Sequence, residues 1–176
     1  FVDRVAAAGA SCFAVHARKA WLEGLDPKQN RTVPPLQHDR VVALKQRRPG
    51  LIIELNGGLE SPEDCLKALE TCDGAMVGRA AYAHPLRWSS VDEQVFGEAP
   101  RTIRASDVVE GLIPHASAHL SRGGRLWDLC RHLMQLVEGV RGARHWRRNL
   151  GERAQKPGAD LDVLAEAGRQ LRNAGL

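Results

Sequence analysis

LIIELNGGLESPEDCLKALETCDGAMVGRAAY, residues 51–82, is the stretch from which the fold can be read. Leu51-Ile52-Ile53-Glu54-Leu55 is short, apolar and β-branched, and it stops at Asn56-Gly57-Gly58. Such a run bounded by glycine reads as a buried strand. Ser61-Pro62-Glu63-Asp64 opens a helix, with serine at the N-cap, proline at the first helical position and carboxylates near the positive helix end. Gly74-Ala75-Met76-Val77-Gly78 is a second strand run, closed by Arg79. Two strands joined through a helix form a βαβ unit with parallel strands. Glycine at both strand ends lets the backbone approach a ligand and leaves amides to hold an anion. The residues thus suggest a phosphate grip made by Asn56, Gly57, Gly58, Gly78 and Arg79. Taken alone, Asn-Gly-Gly is equally a plain strand-to-helix turn. Gly78-Arg79, one strand later, favours the grip, because a guanidinium matches an anion bidentately.

Upstream, Phe1 to Gly9 has the apolar spacing of a helix, and Cys12-Phe13-Ala14-Val15-His16 reads as a strand with His16 at its C-terminal end. On the residues alone, His16 is better read as a core histidine bonded to backbone. The loop from Ala17 to Pro35 is long for a βα connection, which points to function, and Trp21 and Leu25 are expected to anchor it. Its Lys28 and Arg31 are at least as well explained by simple solvation. Leu36 to Arg48 reads as a helix ended by Pro49-Gly50. Three strands in series with intervening helices are too few for a stable sheet or closed barrel. In a (β/α)8 barrel a phosphate site often follows the last two strands. Phe1 lies inside a helical pattern, so the expectation is the C-terminal part of such a barrel, in a longer protein.

Beyond Tyr82 the pattern changes. A helix is expected from His84-Pro85 through Phe96, then a linker at residues 97–100. Four helices follow, Ser106–Leu120, Arg125–Val140, Ala143–Ala154 and Asp160–Asn173, separated by glycine and proline. The expected fold class is therefore α/β, a barrel part over residues 1–97, followed by an all-α bundle over residues 98–176. Charge divides the same way. Residues 1–100 carry 12 basic and 13 acidic side chains, whereas residues 101–176 carry 13 and 8. Between Gly139 and Lys156 there are six basic residues and one acid, Glu152. That density favours phosphate-backbone contacts to a polyanion, although an ordinary exposed helix face has a similar look. Trp146, within that segment, reads as a core anchor rather than a stacking platform, and Trp88 and Trp127 also read as core.

No apolar run approaches the roughly 20 residues of a membrane helix. The cysteines Cys12, Cys65, Cys72 and Cys130 form no C-x-x-C pair or zinc-ligand spacing, and reduced thiols in the cytoplasm are expected. No metal site is expected. Asn30-Arg31-Thr32 matches a glycosylation pattern but stands without a secretory signal.

Four motifs in order, FAVHARKAWLEGLDPKQNR, ELNGG, GAMVGRAAYAHP and GARHWRRNLGERAQKPGAD, span nearly the whole chain. Together they resemble the tRNA-dihydrouridine synthases, and most closely their A-type bacterial class. The resemblance implies a (β/α)8 barrel with a helical tRNA-binding domain, FMN as cofactor and NADPH as reductant. It implies reduction of a D-loop uridine by a monomeric enzyme, with no part for DNA or membrane. It implies flavin contacts at His16, Asn56, Gly57, Gly58, Gly78 and Arg79, and tRNA contacts at Lys28, Arg31, Arg144 and Arg147. The family's catalytic cysteine, a strand lysine and further flavin contacts would precede residue 1, so no catalytic residue is assigned within the chain. The alternatives are a non-catalytic tRNA-binding fragment and another phosphate-binding barrel enzyme, such as a dihydroorotate dehydrogenase-like flavoprotein.

Overall fold

The computed structural model describes residues 1–176. It divides into two compact units, one of residues 1–81 with 94–97, the other of residues 82–93 with 98–176.

The first unit runs helix α1 (Val2–Ala7), strand β1 (Cys12–His16), helix α2 (His38–Arg47), strand β2 (Ile52–Asn56), helix α3 (Pro62–Leu69), strand β3 (Gly74–Met76) and the short helix α4 (Arg79–Ala83), which runs into the second unit. The strands form one parallel sheet in the order β1-β2-β3. Cys12 pairs with Ile52 and His16 with Asn56, and Asn56 pairs in turn with Met76. This register puts His16 and Asn56 side by side at the C-terminal end of the sheet. Alternation along a strand separates the two faces. Ile53 and Leu55 are buried, and Phe13 and Val15 half-buried, on one face, under the α2 and α3 layer. Cys12, Ala14, His16, Ile52 and Met76 lie on the other face and are exposed.

The expected cap on α3 is present. Ser61 Oγ accepts from the Asp64 amide and the Asp64 carboxylate accepts from the Ser61 amide, closing a reciprocal capping box. At the opposite end of the sheet, Asp73 Oδ2 accepts from the Ile53 amide at 2.8 Å and from Lys45 Nζ at 2.8 Å. The Lys45 bond first, then the Ile53 amide, hold this carboxyl below its usual range.

The second unit is helical. It contains α6 (Ala105–Gly111), α7 (Ile113–Ser121), α8 (Leu126–Cys130), α9 (Ala143–Ala154) and α10 (Leu161–Asn173), preceded in the chain by α5 (Val91–Phe96). Val109, Leu126, Leu150 and Leu164 are fully buried in its core. Trp146 is also buried, and its indole N–H donates to Ala167 O at 3.0 Å, joining α9 to α10. Tyr82 and His84 are tied into this unit by Tyr82 Oη to His132 Nδ1 at 3.1 Å and His84 Nδ1 to Glu138 at 2.7 Å. Trp127 packs against the core, as expected.

Three of the expected helices are broken. Ser106–Leu120 is two helices with a joint at Leu112, because Pro114 cannot donate to Glu110 O and its ring crowds that carbonyl. Arg125–Val140 is α helix only to Cys130. Beyond a 3-10 turn over Arg131–Leu133, it stays wound by i to i+3 bonds such as Leu136 N to Leu133 O. His84–Phe96 is a 3-10 turn at Pro85–Trp88 followed by Val91–Phe96, with Ser89-Ser90 between them. No helix is long and apolar enough to cross a membrane.

Candidate functional site

The C-terminal end of the sheet gathers most of the residues singled out above. β1 ends at His16 and β2 at Asn56, and the Ala17 amide donates to Asn56 O at 2.8 Å, continuing the ladder one step past the strands. The chain then turns through Gly57 at φ +106° and Gly58 at φ +75°. Only glycine takes such angles without a penalty of about 1–2 kcal/mol per residue. A Cβ on Gly57 would lie 3.0 Å from His16 Cε1, and one on Gly58 would run into the Leu36 side chain. His16 and Leu36 thus close on the turn from two sides. The Gly58 amide has no acceptor within the chain. A Cβ at Gly78, by contrast, would meet only open space.

Arg79, the first residue of α4, sends its Nη2 to Arg31 O at 3.0 Å, so the Gly78-Arg79 turn touches the long loop. Arg18, Arg79 and Arg31 all act on His16. Partial desolvation is the largest cause, followed by these three cations, and together they push the imidazole below its ordinary pKa although the residue is exposed. The end of the sheet is therefore a cationic recess with an imidazole of lowered pKa, the unpaired Gly58 amide and a guanidinium. It suits an anion with several oxygens.

The loop from Ala17 to Gln37 is ordered by its own bonds. Its ends meet through Gln37 N to Ala17 O at 2.7 Å and the antiparallel bridge between Arg18 and Leu36, and Arg18 Nη1 bonds Pro34 O. Inside it, Asp26 and Gln29 exchange side-chain to amide bonds at 2.8 and 2.7 Å. Asn30 accepts from Trp21 N at 2.8 Å and donates to Trp21 O at 2.9 Å. The anchor is thus the Asn30 amide. The Trp21 indole, expected to pack, is 43% exposed, and the neighbouring Leu22 is 95% exposed. The glycosylation-like Asn30-Arg31-Thr32 is a loop staple: Thr32 Oγ1 bonds Lys28 O and Gln29 O at 3.2 Å each. Lys28 and Arg31 project from this loop into solvent.

Arg144 and Arg147 lie in the other unit, on α9. Ala143, Trp146, Leu150 and Ala154 form the buried stripe of that helix. This leaves Arg144 exposed and Arg147 half-buried on the remaining surface. Arg148 is neutralised by Glu152 at 2.8 Å, whereas no acidic side chain pairs with Arg144 or Arg147. Of the cysteines, Cys65, Cys72 and Cys130 are buried, and burial pushes the Cys130 thiol up to about 11. Cys12 is exposed but begins β1, at the far end from His16.

Sequence reasoning missed His38 and the role of Asn30. His38, first residue of α2, has Nε2 2.8 Å from Gly57 O, although 19 residues separate the two. Its only sequence signal is its place just after Pro34-Pro35, where a loop must end.

A family model described as dihydrouridine synthase matches residues 1–171. A tRNA-dihydrouridine(20/20a) synthase of Shewanella oneidensis is 46% identical over 164 residues, covering 93% of this chain and 49% of that protein. Proteins of the same name from Vibrio parahaemolyticus and Escherichia coli K12 are each 43% identical, over 159 and 168 residues, covering 90% and 95% of this chain. The chain spans about half the length of these curated relatives.

Proposed function

The chain belongs to the dihydrouridine synthase family, and from that premise we propose that it is part of an FMN-dependent tRNA-dihydrouridine synthase. The observation that carries the reading is the recess at the sheet end, where the glycine turn with its free Gly58 amide, His16 and Arg79 come together. These residues fit the phosphate of FMN: the Gly58 amide and the Arg79 guanidinium can donate to it. Asn56 and Gly78 border it. The sheet belongs to a (β/α)8 barrel whose last three strands are β1 to β3. A closed barrel accounts for the open sheet face, since Ile52 and Met76 would point to its interior. Residues 98–176 form the helical tRNA-binding domain.

When bound, the flavin supplies the hydride that saturates the C5–C6 bond of uracil, with NADPH as the ultimate reductant. The chain's own part is binding and placement. His16, its pKa lowered by partial desolvation and then by the three arginines, presents a ring nitrogen to the cofactor. Lys28 and Arg31 on the stapled loop and Arg144 and Arg147 on α9 contact tRNA phosphates, which position the RNA rather than read its sequence. They offset the few kcal/mol needed to draw the target uridine out of its stack. The relatives' names point to uridines 20 and 20a as the targets, in the D-loop. No cysteine of this chain is proposed as the acid that protonates C5, and the enzyme is expected to work in the cytoplasm as a monomer.

The test uses the full-length protein, an unmodified tRNA transcript and NADPH. We expect bound flavin absorbance and NADPH-dependent dihydrouridine at positions 20 and 20a, read by mass spectrometry of digested tRNA. A colourless protein that binds tRNA but forms no dihydrouridine after FMN is added would overturn the reading.

A further inference from the structure

The Asn56-Gly57-Gly58 turn has a hydrogen bond on its outer side that decides what its inner side can do. His38 Nε2 stands 2.8 Å from Gly57 O. A carbonyl oxygen only accepts, so Nε2 carries the proton, and that choice of tautomer follows from the partner. The Gly57–Gly58 peptide is trans, as are all peptides in the chain. In a planar trans peptide the C=O and the following N–H point in opposite directions. Holding Gly57 O against His38 therefore turns the Gly58 N–H to the side away from α2. That amide has no acceptor in the chain.

The restraint matters because of where it acts. Gly57 and Gly58 both have positive φ and no Cβ, so the peptide between them has little intrinsic resistance to rotation. Leu36 and the His16 ring confine the turn sterically but do not specify which way its amide faces. The His38 bond does, and it ties the turn to the first residue of a ten-residue helix.

We propose that His38 is a positioning residue: by fixing the Gly57–Gly58 peptide, it aims the Gly58 amide at the phosphate and so sets the preference for a phosphorylated flavin over the dephosphorylated one. The proposal rests on the flavin reading above and adds to it a residue that touches neither cofactor nor substrate.

The experiment compares FMN and riboflavin binding by the full-length protein, from flavin fluorescence quenching, in the unaltered protein, His38→Ala, His38→Phe and His38→Gln. The unaltered protein is expected to bind FMN more tightly. His38→Ala and His38→Phe should weaken FMN binding by about tenfold, the scale of one directed hydrogen bond, with riboflavin binding unchanged. His38→Gln, which keeps an N–H donor, should recover part of the difference. Equal loss of both flavins in the Ala and Phe variants would make His38 a general structural residue and overturn the proposal. Unchanged FMN binding in both would overturn it too. If the unaltered protein binds neither flavin, the flavin reading falls and the proposal with it. If it binds both equally, only the proposal falls.

Discussion

Asn30 holds Trp21 by both main-chain groups, accepting from its N–H at 2.8 Å and donating to its C=O at 2.9 Å across nine residues. This side-chain amide does for the loop what a rung of backbone pairing does for a hairpin. The same amide also reaches Leu25 O at 3.4 Å. Lys28 and Arg31 are thereby presented from a defined surface instead of a floppy connection.

Replacing Asn30 by alanine should therefore loosen the loop without touching either core. Losing two bonds of about 1 kcal/mol each is enough to raise opening of the segment by an order of magnitude or more. Amide hydrogen exchange over residues 20–33 should accelerate, and trypsin should cut sooner at Lys28 and Arg31. Exchange in α9 and α10 should stay as it was.

Arg144 and Arg147 offer charge that no acid in the chain neutralises, unlike Arg148. The double variant Arg144→Ala, Arg147→Ala should weaken tRNA binding about tenfold at moderate salt and lower the slope of log affinity against log salt by about 1 to 2. Flavin content should not change, because these residues belong to the helical unit and not to the recess. Filter binding at a series of salt concentrations, with the flavin absorbance of the same samples, checks both halves of the expectation.

His16 has its pKa lowered by partial desolvation first, then by Arg18, Arg79 and Arg31. The folded chain thus binds the His16 proton less readily than the unfolded one. The resulting penalty is absent above the ordinary histidine value. It grows as pH falls through that value and levels off below the folded pKa. Arg79→Ala removes one repelling cation, so the His16 pKa should rise. A bound phosphate, being negative, should raise it as well. Proton NMR of the His16 Cε1 signal over a pH series, with and without FMN, measures both shifts.

Trp146 fills the helical core and satisfies its indole N–H on Ala167 O. Trp146→Ala should cost about 3–5 kcal/mol through lost burial and the cavity left behind. Trp146→Phe should cost less, because it keeps most of the apolar bulk and loses mainly the hydrogen bond to Ala167 O. Urea denaturation followed by circular dichroism gives the two values. Comparable costs for the two variants would refute the division between packing and hydrogen bonding.

Residues 51–82 made the βαβ unit legible because its signals are local: an apolar run, a glycine stop, a serine cap and a proline at the first turn. The strand ends at His16 and Asn56 were equally local, and the parallel register brought them side by side. Trp146 was read from the sequence as a core anchor, and the structure places it in a buried stripe with Ala143, Leu150 and Ala154. The break at Leu112 was also written in the chain, in Pro114, but an apolar pattern running through both halves masked it.

What only the tertiary structure decided were the bonds between residues far apart in sequence. Asn30 on Trp21, Arg79 on Arg31 O and His38 on Gly57 O span 9, 48 and 19 residues. A side-chain donor has no periodicity and gives no pattern along the chain. Its partner is set by where two segments meet after the sheet and helices have packed. For the same reason the exposure of Trp21 was not readable from its type: an indole is apolar enough to suggest burial, but the loop was closed by an amide that satisfied its backbone and left the ring outside. The sequence alone therefore determined where the glycine turn is, through Asn56-Gly57-Gly58. The fold determined which way its amides point, because peptide orientation at a glycine pair is settled by an external hydrogen bond and not by the residues themselves.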